Sequence, residues 1–175
     1  MATAGFSEGW APGILGRSSE RRAMLLDLLL ACLHHVAVFA VVAILAVEIV
    51  LLRPGLDRAA IQRLARIDLW FGVMAALALA AGFARVFFGL KGPDYYFANH
   101  VFWTKVGLFL FIGVLSIWPT LKMLGWRRAL ARNPDALPSP GEVRGARRVA
   151  HVEAGLVILL PLLGAAMARG YGLSP

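Results

Sequence analysis

Asp27, His34, His35 and Glu48 stand inside a run, Met24 to Leu52, that is otherwise built for hydrocarbon. A step of seven residues returns to within about 20° of the same helix face. Asp27, His34 and Glu48, spaced by 7 and then 14 residues, therefore share one stripe, and His35 points about a quarter turn away. Ionisable groups in a membrane normally face a bundle interior, a partner or a cofactor, so the stripe is the first place to look for function. Two further basic residues, Arg85 and Lys105, interrupt other apolar runs.

These residue types admit a definite chemistry. A buried imidazole can ligate a haem iron, making His34 the candidate metal and cofactor ligand. Arg85 and Lys105 are suited to holding carboxylates or assisting proton transfer, the roles of catalytic candidates. The structural alternative is an interhelical ion pair of Asp27 with Arg85 or Lys105, and a His34 bonded to a backbone carbonyl. His35 could ligate from another face, and His100 borders a loop and reads as interfacial. His151 and Glu153, two apart on a helix, project to different faces and do not form a zinc pair; an ion pair with Arg148 is expected there. Cys32 is the one cysteine, which excludes an internal disulfide or an iron–sulfur cluster, and it reads as a small packing residue.

The elements that carry these residues follow from composition. In 175 residues, 59% are hydrophobic and the mean hydropathy is +0.72, too apolar for a soluble domain of this size. Four runs have the length of a membrane helix, residues 24–52, 67–90, 101–124 and 149–168. Backbone groups in lipid must be satisfied within the segment, so each run is helical and the fold class is an all-α integral membrane four-helix bundle. Residues 1–22 form a tail, 23–170 the membrane domain and 171–175 a short C-terminal tail. Pro54-Gly55 ends the first run, and the stretch Asp57–Arg66 is expected to lie along the membrane surface. Pro161 should bend the fourth helix. The second run is rich in small residues, among them Ala76 and Gly82, and is expected to be the central helix.

The net charge of +8 is placed for topology rather than for nucleic acid. Arg53, Arg58, Arg63 and Arg66 follow the first run, and seven basic residues from Lys122 to Arg148 separate the third from the fourth. By the positive-inside rule these loops are cytoplasmic and both termini periplasmic, although Arg17, Arg21 and Arg22 oppose this.

Several segments look familiar as they stand: L-H-H-V-A-V-F-A-V-V at Leu33–Val42, V-E-I-V-L-L-R-P at Val47–Pro54, A-R-V-F-F-G-L-K-G at Ala84–Gly92, F-W-T-K-V at Phe102–Val106 and L-S-I-W-P-T at Leu115–Thr120. Over Leu25 to Gly170 the chain resembles the bacterial membrane family called domain of unknown function 2214, which has no established activity. More remotely it is similar to the four-helix membrane protoporphyrinogen oxidases and to the copper-resistance D membrane domain. Those oxidases bind haem b through a histidine of the first helix and use a lysine of the third, and His34 and Lys105 stand at the corresponding places. The fourth helix departs from that pattern, with Arg148-x-x-His151-x-Glu153 where the oxidases have an arginine followed by Asn-Glu and a proline.

The resemblance implies a bacterial inner-membrane protein in contact with the lipid bilayer, with haem b as the candidate cofactor and a porphyrin or quinone-like ligand. A homo-oligomer is compatible with it. The rival reading is a non-enzymatic transport or assembly protein, in which Asp27, His34 and Glu48 line a path for copper, another cation or protons.

Overall fold

The computed structural model describes residues 12–173, with side chains from residue 18 up to residue 173; the expectation of a surface-lying or disordered tail around Trp10 falls outside them. Six α-helices follow one another: α1 (Pro12–Leu51), α2 (Arg58–Phe88), α3 (Gly92–Phe97), α4 (His100–Arg132), α5 (Pro140–Val157) and α6 (Leu159–Ala168). Four segments are long and apolar enough to cross a membrane, Ser18–Leu51, Arg58–Phe88, His100–Arg132 and Pro140–Ala168. The last combines α5 and α6. Their junction at Ile158 precedes Pro161 by three residues, and proline removes the bond that would reach back to the carbonyl of Val157.

The helices pack in a ring. α1 contacts α2, α2 contacts α4, α4 contacts α5 and α6, and α5 returns to α1. No helix is central, which corrects the expectation for the second run. In place of a small-residue hub, Ala78 and Ala81 are buried on α2 while Ala76 is exposed on its outer face. The exterior carries Phe39, Val50, Phe88 and Val114, each about two-thirds exposed, as an apolar lipid-facing surface requires.

Local signals place the helix ends. Gly55 adopts φ +85° in the turn after α1, a conformation that suits glycine. Asp57 caps α2 through the Ala60 amide at 2.7 Å, and Ser139 with Glu142 forms a reciprocal capping box on α5. Asp57–Arg66 is not a separate surface segment: it forms the cap and first turns of α2, with Ile61 and Leu64 fully buried. Those apolar residues face the bundle, which is why the helix stays upright instead of turning along the membrane.

At the other end, buried Asn99 ties the chain together. Its side chain accepts from the amides of Val101 and Phe102 at 2.9 and 3.2 Å and donates to the Tyr171 carbonyl at 3.0 Å. The C-terminal turn thus sits beside the start of α4, at the α3 end of the bundle. The opposite end carries the arginine-rich loops.

Candidate functional site

The stripe on α1 divides between three environments. Asp27 approaches Arg85 of α2, Nε to Oδ1 3.6 Å, as an ion pair without a hydrogen bond. Gly89 permits this approach, because a Cβ there would lie 2.7 Å from the Asp27 Oδ1. One level deeper, His34 Nδ1 lies 2.8 Å from the carbonyl oxygen of Ala78. A carbonyl can only accept, so Nδ1 carries the proton and Nε2 is left with its lone pair. Gly82 stands beside the ring, where a Cβ would come within 3.2 Å of it. Glu48 is deeper still and 3% exposed.

A cavity of about 520 Å³ opens around His34. It occupies the space between α1 and α6, whose backbones stay apart although α1 packs on α5. His34, His35 and Val38 line one side, and Pro161, Gly164 and Ala165 the other. α2 and α4 form the back, with Ala78, Phe83, Arg85, Phe102 and Lys105. At the α3 end Tyr95 closes it, donating to the Met167 carbonyl at 2.9 Å while Lys91 donates to the same hydroxyl at 3.0 Å.

The wall is mainly apolar, and its charged members are Arg85, Lys91 and Lys105 with no acidic side chain. Lys105 has no ion pair or hydrogen bond among the described residues, and its Nζ lies beside Gly164 of α6, 3.5 Å from a Cβ placed there. The cavity therefore suits an apolar ligand bearing an anionic group. His34, Arg85 and Lys105, singled out by residue type, are brought together here. Lys91 and Tyr95 were not, since an interfacial lysine and an aromatic belt carry no distinguishing mark in sequence, and Gly82, read there as a packing residue, borders the His34 ring.

Other candidates lie elsewhere. His35 also borders the cavity, but its ring is exposed and its Nδ1 donates to the Ala31 carbonyl of its own helix at 2.6 Å. His100 is the exposed first residue of α4. His151 is exposed and bonds the Arg147 carbonyl at 2.7 Å. The ion pair expected with Arg148 does not form: Arg148 points outward while Glu153 is 2% exposed. Cys32 is exposed rather than packed. Among the described residues no group of three histidines, cysteines or carboxylates is disposed to hold a metal ion.

A second polar level lies toward the arginine-rich end. Glu48 of α1, Asp68 of α2 and Glu153 of α5 are buried there, and Thr120 of α4 stands beside Asp68. The Thr120 hydroxyl donates to Asp68 Oδ1 at 2.7 Å. Glu48 Oε1 and Glu153 Oε1 are buried without a hydrogen-bond partner. Thr120 escapes a search by residue type because threonine is ordinary in a membrane helix.

No curated protein and no solved structure matches the chain. The family described as "Predicted membrane protein (DUF2214)" matches residues 26–172, which span every helix that lines the two polar levels. Four membrane-length helices and that match together make the chain a member of this family of predicted membrane proteins.

Proposed function

We propose that the cavity around His34 binds haem b or a related porphyrin, and that the protein is a membrane oxidoreductase acting on a porphyrin or quinone-like substrate. The observation that carries this reading is the His34 imidazole, whose Nδ1 bond to Ala78 turns an unprotonated Nε2 toward ligation, as outer-shell carbonyls do for metal-binding histidines. The donor set fits the group. One imidazole nitrogen of His34 would hold the iron, Lys105 and Arg85 would supply cations for two carboxylates, and about 520 Å³ falls in the range of cofactor sites, roughly 300–1,000 Å³. When bound, haem would supply one-electron chemistry at its iron. The chain would orient it through His34, hold its acidic edge with Lys105, and keep water out with Phe83, Phe102 and Val106.

The same reading puts the protein in a bacterial inner membrane with the arginine-rich end cytoplasmic and the cavity toward the periplasm. Protein purified in mild detergent after growth with abundant haem should show a Soret band. His34→Ala should abolish or strongly weaken it, His35→Ala should keep it, and Lys105→Ala should keep the band but lower retention of the chromophore. A parent protein without Soret absorption would rule the cofactor out.

A further inference from the structure

We propose that Glu48, Asp68 and Glu153, with Thr120, form an occluded proton-binding site in the membrane, separate from the cavity and independent of whether that cavity binds haem. The layer gathers three carboxyl groups from three helices within electrostatic reach of one another. No Lys, Arg or His lies within ion-pair distance of them among the described residues; the two ion pairs there are Arg85 with Asp27 and Lys122 with Glu142. Around the layer, α1 contributes Glu48, α2 Asp68, α4 the Thr120 hydroxyl and α5 Glu153, while α6 contributes no charged side chain. The basic residues nearest in sequence to the carboxyls, Arg53, Arg66, Arg148 and His151, are exposed, and Lys122, two residues from Thr120, is half-buried and paired with Glu142.

Three uncompensated charges in a bundle of low dielectric would repel one another and forgo their solvation by water. Something must neutralise them. A metal ion is a poor candidate, because no suitable group of three ligands exists among the described residues. A proton needs only one oxygen, and Glu48 Oε1 and Glu153 Oε1 are each buried without a partner. Protonation moves one proton from hydronium to a carboxylate oxygen and leaves water, with nothing oxidised or reduced.

The layer is closed on both sides. One turn toward the cavity stand Leu45, Phe71 and Val157, and one turn the other way Leu52, Leu64 and Met123, all buried. Exchange with water thus requires the bundle to open. Two weak points flank the layer: buried Pro119 within α4, next to Thr120, and the α5–α6 junction at Ile158. Both lack a regular backbone bond and are places where a helix can bend.

Infrared spectroscopy of the protein in liposomes tests this directly. At pH 7, where exposed carboxyls are ionised, the parent should retain a protonated-carboxyl band that shifts in D₂O. Glu48→Gln and Glu153→Gln should each remove part of it, and Glu142→Gln, at the surface, should leave it unchanged. Absence of the band in the parent would overturn the proposal without any variant having to fold. So would a band that keeps its full intensity in Glu48→Gln, Glu153→Gln and Asp68→Asn alike, or one that disappears on adding sodium or a divalent cation at constant pH, which would make the layer a cation site.

Discussion

At the scale of single residues, the state of His34 depends on a neighbour with no side chain. Gly82 leaves the ring its place against Ala78, and a methyl group there would lie 3.2 and 3.3 Å from two ring atoms. Gly82→Ala gains up to about 1 kcal/mol of helix propensity, which offsets a ring shift of a few tenths of an ångström. Its melting temperature in detergent should stay near that of the parent. Gly82→Leu has no such offset. It should lose about 1–3 kcal/mol and, if the cavity binds haem, lose the chromophore as His34→Ala does; a Gly82→Leu protein that melts and absorbs like the parent would separate the two residues.

At the scale of the helix, α2 shows how little a run of small residues says about its own orientation. Ala78 and Ala81 are 1% and 3% exposed, whereas Ala76, two residues from Ala78, faces outward. Close approach of backbones is needed only on the inner face. Ala78→Leu and Ala81→Leu should therefore each cost about 1–3 kcal/mol by overpacking, and Ala76→Leu should stay within about 0.5 kcal/mol of the parent. Thermal melting of the three variants in one detergent checks the assignment. Equal losses in all three would mean that the outer face of α2 is also packed, against a second copy.

At the scale of the whole molecule, the four spans place the C-terminal turn at the α3 end and the Ser139 loop at the other. In a Cys32→Ser background, Tyr171→Cys should react with an impermeant thiol reagent in intact cells and Ser139→Cys should not. The reverse pattern would invert the orientation. Reaction of both or of neither would break the four-span arrangement itself. The bundle then has two polar levels on one axis, a cavity with cationic walls near one surface and a sealed acidic layer toward the other. Val41 and Leu45 of α1, both buried, stand between His34 and Glu48.

The amino-acid sequence by itself determined the membrane class, the four spans and the stripe of ionisable residues on the first of them. Length, apolar composition and alternating chain direction suffice for these, because hydrocarbon thickness and backbone satisfaction leave helices no alternative. It also marked the ends of α1, at Pro54-Gly55, and the bend near Pro161. The faces of the helices were decided only in the tertiary structure. A membrane helix is apolar all round, so the amphipathic signal that orients a helix in water is missing. Rotation about each axis follows from side-chain packing between helices. That packing buried Glu153 and turned Arg148 outward, exposed Ala76 and Cys32, made Asp57–Arg66 the start of α2, and brought Thr120 to Asp68. It also gave Asp27, His34 and Glu48, which share one stripe of α1, a different set of neighbours at each level.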